Sequence, residues 1–176
     1  MDRSLSALEQ FSHKHPPKPG RTLVVGSKRY DDKPDRRALY DNAYGVDLLG
    51  GDGVDLVHDL ENPLPASVGT FDHVDCVSVL EHVRRPWKMA ESLEQCLNDG
   101  GTLLVCVPFV WRVHAYPSDY WRMTTEALPV LFPSVRWLDR RYLVDGRRRK
   151  LVPGREGMGG PWLARAEVVA AGVVCR

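Results

Sequence analysis

Five short apolar runs, each stopping at glycine or a polar residue, limit what this chain can fold into. They are Thr22-Leu-Val-Val-Gly26, Ala43-Tyr-Gly-Val-Asp47, Gly53-Val-Asp-Leu-Val-His58, His73-Val-Asp-Cys-Val-Ser-Val-Leu80 and Thr102 to Val107. Each is too short for a buried helix and is rich in β-branched residues, so each predicts a strand. Near-continuous apolarity, as in Leu103-Leu-Val-Cys-Val, suits strands covered on both faces. Residues 86–97 carry helical spacing, with Pro86 tolerated in the first turn and Gly100-Gly101 as the stop. Residues 3–12 and 125–131 predict two further short helices. Residues 135–144 and 166–174 predict an edge hairpin of strands. Strands alternating with helices imply an α/β protein with a mostly parallel sheet, helices on both faces and a C-terminal β-hairpin.

One domain over residues 1–176 accommodates this pattern. Residues 1–20 read as an N-terminal helix and a Pro-rich linker, because successive prolines in His13-Lys-His-Pro-Pro-Lys-Pro-Gly20 stop a helix. Residues 146–161, rich in Gly and Arg, read as a mobile basic loop.

Net charge is +1, but charge is unevenly spread. Nine acids and no Lys or Arg lie between Asp41 and His82, while seven basic residues and one acid lie between Arg140 and Arg155. The first stretch favours a cationic ligand and the second an anionic one. Cys76, Cys96, Cys106 and Cys175 show no Cys-x-x-Cys spacing and read as reduced thiols of a cytoplasmic protein. No apolar run is long enough for a membrane span, and the first residues lack a signal-peptide core.

The chemistry concentrates after the fifth strand. Pro108-Phe109 is followed by His114-Ala-Tyr-Pro-Ser-Asp119-Tyr120-Trp121-Arg122-Met-Thr124. A loop on a rigid scaffold is where functional side chains gather. His114 is the first candidate base, because imidazole titrates near neutrality. Asp119 could orient it or bind an acceptor hydroxyl. Tyr120 and Trp121 could stack on a ring or sugar face, and Arg122 could hold a carboxylate or phosphate. His82, at the end of the fourth strand, is a second candidate base. Bland readings compete with these: a loop network for His114 and Asp119, core packing for the aromatics, and an Asp119–Arg122 brace.

A ligand of an open α/β sheet binds beyond the carboxyl ends of its strands. Gly26-Ser27-Lys28 ends the first strand, and Asp47 ends the second, 21 positions later. A carboxylate there can accept hydrogen bonds from both ribose hydroxyls. The chain lacks Gly-x-Gly-x-x-Gly, so the turn is not built for a pyrophosphate. Asp59 and Leu60 could meet an adenine amino group and ring.

These segments together resemble a bacterial group of class I S-adenosylmethionine-dependent methyltransferases. The resemblance rests on Gly26-Ser27-Lys28, Val46-Asp47, Asp59-Leu60, Phe71-Asp72-His-Val74, Leu80-Glu81-His82, Gly100-Gly101 and the His114–Thr124 loop. It covers about residues 22–130. It implies a Rossmann-like methyltransferase fold, S-adenosylmethionine as cofactor, and cofactor contacts from Gly26, Ser27, Asp47, Leu48, Asp59, Leu60, Ser78 and Glu81. The departure is the single glycine where many members have two or three. The group's company suggests a small-molecule acceptor such as a sugar or glycan precursor, methylated on oxygen, with a homodimer or partner subunit completing the pocket.

Other classes find less support. The six histidines show no His-x-x-x-His spacing, so no metal site is expected. No serine-hydrolase or P-loop motif is present. Leu80-Glu-His-Val stands where base-methylating relatives carry their Pro-Pro motif, which disfavours nucleic acid. Two alternatives stay open: a non-catalytic binding protein of the same fold, and a nucleic-acid-binding or RNA-modifying protein using Arg147–Lys150.

Overall fold

The computed structural model describes residues 3–30, 34–114, 117–144 and 166–176. Seven strands among the described residues form one sheet. They are β1 (Thr22–Val25), β2 (Ala43–Asp47), β3 (Leu56–Val57), β4 (Phe71–Val77), β5 (Leu97–Val110), β6 (Val135–Val144) and β7 (Ala166–Val174). Their spatial order is β3-β2-β1-β4-β5-β7-β6. The first five strands pair in parallel, and β7 runs antiparallel between β5 and β6. The order reverses between β1 and β4, so the carboxyl ends of these two strands flank the crevice where such sheets bind ligands.

Alternation along the strands sorts side chains onto two faces. Leu103, Val105 and Val107 of β5 join Leu23, Val25, Val74 and Cys76 under helix α2 (Pro86–Cys96) and helix α3 (Ala127–Leu131). Met89, Ala90 and Leu93 of α2 and Leu128 of α3 complete this core. Burying one such Leu is worth about 1.5–3 kcal/mol. On the opposite face, Leu104, Cys106, Val169 and Ala171 receive Leu8 and Phe11 of helix α1 (Arg3–Lys14). The expected cover of both faces is therefore present.

Beside α1, the second face is polar. Between β1 and β2 the described chain forms only a 3₁₀ turn, Arg36–Leu39. Arg36 Nη2 donates to the buried Asp75 carboxylate at 2.6 Å, and the Tyr40 hydroxyl donates to the same oxygen at 2.8 Å. His73, two residues earlier in β4, bonds Thr102 Oγ1 through Nδ1 at 2.8 Å. Burial drives the His73 pKa down to about 4.

Several boundaries differ from the sequence reading, three of them with a clear physical reason. Helix α2 stops at Cys96, and Leu97 is already extended. Gly100-Gly101 therefore does not end a helix; it lies inside β5, in the stretch where the pairing with β4 shifts between Phe71 and His73. Gly100 has φ +68°, which a β-branched residue resists. The third strand keeps only two of six expected residues. Asp55 meets Gly45 of β2 through both backbone and side chain instead: its N–H donates to the Gly45 carbonyl at 2.9 Å and its carboxylate accepts the Gly45 N–H at 2.6 Å. The fourth strand ends at Val77, and Leu80–His82 turns into a 3₁₀ segment. The expected basic loop at 146–161 falls outside the described residues.

Candidate functional site

The turn after β1 is held by the strand beside it. Gly26 adopts φ +67°, and a side chain there would strike Val79 Cγ2 at 2.6 Å. Gly26 N and Ser27 N both donate to the Val46 carbonyl, at 2.9 and 3.2 Å. Asp47 then bridges two loops: Oδ2 accepts from Lys28 N at 3.0 Å, and Oδ1 accepts from Leu49 N at 2.9 Å. A carboxylate offers about four lone-pair sites, so each oxygen retains one for a further donor.

The other expected cofactor residues separate into two groups. Leu48 and Ser78 are exposed near this turn, and Ser78 holds φ +56°, rare without a glycine. Asp59 is exposed, with Oδ1 accepting from Glu61 N at 2.9 Å. Ser27 is buried instead, its hydroxyl packed against Gly45, so only its backbone is offered to a ligand. Leu60 is also buried and packs in the main core, which takes it away from an adenine wall.

Glu81 is tied to the loop after β5 instead of to the turn after β1. Its carbonyl accepts from Tyr120 N at 2.8 Å and Trp121 N at 3.3 Å, tying the 3₁₀ segment after β4 to the loop after β5. Its carboxyl is buried, with Oε1 3.7 Å from His82 Nε2 and Oε2 without a hydrogen-bond partner. Burial pushes its pKa up to about 7, with the Asp119 and Glu167 charges adding to the rise. A lone acid directly after an apolar strand, Leu80-Glu81, was the available signal.

The loop itself is braced from within. The Asp119 side chain is almost wholly buried. Its carboxylate takes Arg122 fork to fork, Nη1 to Oδ1 at 2.6 Å and Nη2 to Oδ2 at 2.7 Å. The bonds from Arg122 hold its pKa well below the usual carboxylate range. Arg122 also donates to the carbonyls of Trp111, Arg112 and Trp121. All five guanidinium N–H groups are thereby spent. The expected anchoring of an acceptor anion by Arg122 gives way to the loop brace, because no donor remains.

His114 and His82 face one another edge to plane, ring centroids 4.8 Å apart. His114 Nδ1 lies 3.0 Å from Asp119 Oδ2 and 3.3 Å from the Arg112 carbonyl. His82 Nδ1 donates to the Ser118 carbonyl at 2.6 Å. Both rings thus present acceptors with Nδ1–H, which leaves the lone pair on Nε2. Burial lowers the His82 pKa. Although histidine spacing gave no expectation of a metal, the fold brings single donor atoms of Glu81, His82 and His114 within 4.8 Å of one another.

An aromatic rim borders these groups. Tyr120 and Trp121 are partly exposed; the Tyr120 hydroxyl accepts from Arg84 Nε, and Trp121 Nε1 donates to the Val83 carbonyl at 2.8 Å. Trp87 meets Trp121 edge-on at 6.1 Å. Neither Tyr120 nor Trp121 is core packing.

Comparisons with known proteins point one way. Residues 37–105 match the family model described as a methyltransferase domain. The fold is similar to that of the N-methyltransferase NodS from Bradyrhizobium japonicum WM9 in complex with S-adenosyl-L-homocysteine. That match has 11% identity and TM-score 0.65, and covers 97% of this chain and 85% of the other. It is also similar to the Burkholderia thailandensis 1,6-didemethyltoxoflavin-N1-methyltransferase with bound 1,6-didemethyltoxoflavin and S-adenosylhomocysteine. There the identity is 14%, the TM-score 0.68, and the coverage 99% and 80%. No curated protein matches the chain in sequence. Among the described residues no helix is long and apolar enough to cross a membrane. The methyltransferase-domain match over β2 to β5, on a sheet of this order, gives the chain the fold of the class I S-adenosylmethionine-dependent methyltransferases.

Proposed function

We propose that the protein methylates a hydroxyl of a small-molecule acceptor, of the sugar or glycan-precursor class, with His114 as the general base. The observation that carries this reading is the buried Asp119 carboxylate 3.0 Å from His114 Nδ1. The Arg112 carbonyl, 3.3 Å from the same nitrogen, holds Nδ1–H and leaves Nε2 free to take a proton, with the Asp119 carboxylate beside the ring as counter-charge. S-adenosylmethionine, when bound, would supply its sulfonium methyl to the acceptor oxygen that His114 has freed of its proton, the S–CH3 bond breaking to give S-adenosylhomocysteine. His82 is the reserve base on the same side.

For the cofactor, Asp47 accepts the ribose hydroxyls with its two remaining lone pairs. Gly26 lets the methionine portion approach backbone, beside Ser78. Leu48 lies against the adenine ring in place of the buried Leu60, and Asp59 takes the adenine amino group. Tyr120 and Trp121 supply a stacking rim for a sugar face. That rim is open in the single chain, so a second copy or a partner subunit is the enclosure we favour. The related Haloferax volcanii chain, 17% identical with TM-score 0.63 and 99% of this chain and 93% of that chain covered, was solved with the Trm112 methyltransferase activator. Four free cysteines suit a reducing cytoplasm.

Both similar enzymes above are N-methyltransferases by name, but at 11 and 14% identity they share the fold alone. Oxygen is preferred here because a hydroxyl, with its high pKa, needs the oriented base that this site provides. The test is single-turnover methyl transfer from labelled S-adenosylmethionine to a panel of glycosides and matched amines. His114→Ala should keep cofactor affinity and cut turnover about 10²–10⁴-fold. A wild-type rate in that variant, or transfer only to amines, would defeat this reading.

A further inference from the structure

We propose that Glu81, His82 and His114 form a binding site for one divalent transition cation of the zinc class. Three observations carry this. Their donor atoms lie within 4.8 Å of one another. The Glu81 carboxyl is buried and its Oε2 has no hydrogen-bond partner. Both imidazoles have Nδ1 turned to an acceptor, Ser118 O for His82 and Asp119 and Arg112 O for His114. That last arrangement is what a metal-binding histidine requires: an outer acceptor holds Nδ1–H, fixes the ring, and leaves Nε2 as ligand.

The donor set is two imidazoles and one carboxylate, which suits borderline cations over calcium or magnesium. Coordination at about 2.1 Å draws such donors to within about 3.5 Å of each other. Rotation of the two imidazoles about their side-chain bonds supplies that contraction. The charge balance also favours a cation. Asp119 and Arg122 neutralise each other, which leaves the Glu81 carboxylate to meet the cation. Exposure of the histidines, about one-seventh for His82 and a quarter for His114, leaves an entry path and an open coordination position.

The site stands on this geometry; its consequence for turnover rests on the proposed role of His114. A cation on His114 occupies the lone pair that would take the acceptor's proton. Metal occupancy and base catalysis are therefore mutually exclusive, and zinc acts on this enzyme as an inhibitor.

The experiment titrates chelator-treated full-length protein with Zn²⁺ by calorimetry and with Co²⁺ by visible absorption. One equivalent should bind, with d–d bands of a low-coordinate N/O site. Glu81→Gln and His82→Gln should each abolish binding while near-ultraviolet dichroism is retained. Asp119→Asn should weaken it about 10–100-fold, the scale for losing an outer partner of a ligand. His58→Gln, a control away from the cluster, should bind as wild type. Absence of stoichiometric binding, or binding that survives both Glu81→Gln and His82→Gln, would overturn the site. The same titration read as turnover separates the two ideas. Binding without inhibition supports the site and removes His114 as base. Turnover that depends on His114 in a protein that binds no metal keeps the base and removes the site.

Discussion

Asp119 and Arg122 meet fork to fork three residues apart, and the pair leaves Arg122 no N–H for a ligand. The consequence is a loop whose shape depends on one guanidinium. Lysine carries the charge but not the planar fork, and it cannot reach three carbonyls as well. Arg122→Lys should therefore lower stability by roughly 2–3 kcal/mol, the scale for a largely buried charge losing its partners. Denaturant unfolding measures this. An unchanged midpoint with a raised KM for acceptor would mean that Arg122 serves the substrate after all.

Gly26 and Val79 share a space that only one side chain can fill. Gly26→Ala adds a Cβ 2.6 Å from Val79 Cγ2 at a backbone angle of +67°. Both penalties act on the turn proposed to approach the cofactor. The substitution should reduce S-adenosylhomocysteine affinity at least about tenfold, or 1.4 kcal/mol. Adding Val79→Ala removes the clash but not the left-handed strain of about 1 kcal/mol. Calorimetry on the single and double variants should therefore show partial rescue. Full rescue would make sterics the whole cost, and no loss in Gly26→Ala would move the cofactor away from this turn.

Asp47 anchors two backbone N–H groups and is proposed to hold the ribose. Asp47→Ala should weaken S-adenosylhomocysteine binding by at least about 1 kcal/mol, since a charged hydrogen-bond partner is lost. Adenine alone should be affected less, because it makes no use of ribose acceptors. Equal losses for both ligands would show that Asp47 acts only by shaping the Lys28 and Leu49 loops.

The sheet was legible because strand burial on both faces writes long apolar runs. The hairpin of β6 and β7 has the bounds read from the sequence, 135–144 and 166–174. Its fit reflects β-branched runs flanked by turn residues. The third strand was overread because Asp55 and Gly53 look like ordinary strand ends. In the fold, Asp55 spends its carboxylate on Gly45 N. Gly100-Gly101 misled for a related reason: glycine serves equally as a helix stop and as a strand irregularity, and the tertiary pairing decides. The loop after β5 was legible as a cluster, yet its internal division was not. Whether Arg122 faces a ligand or Asp119 depends on backbone curvature that no spacing rule encodes. His82 and His114 stand 32 positions apart, so only the convergence of the β4 and β5 ends could bring them together with Glu81.

His73 makes a pH prediction whose sign is fixed by its burial. Its folded pKa is about 4, below the ordinary 6.5 of the unfolded chain, chiefly because burial disfavours the charged ring. Between these values the unfolded state binds more protons, so stability rises with pH across the window. The contribution is fully present above about pH 6.5 and is lost as pH falls towards 4. A difference of about 2.5 pKa values corresponds to roughly 3 kcal/mol. His73→Gln offers no titrating ring in either state and keeps an amide for Thr102 Oγ1. Wild type should lose roughly 3 kcal/mol more than His73→Gln between pH 7 and pH 4, read as the difference in their urea unfolding free energies at each pH. Parallel pH profiles for the two proteins would show that His73 is protonated as readily in the fold as outside it.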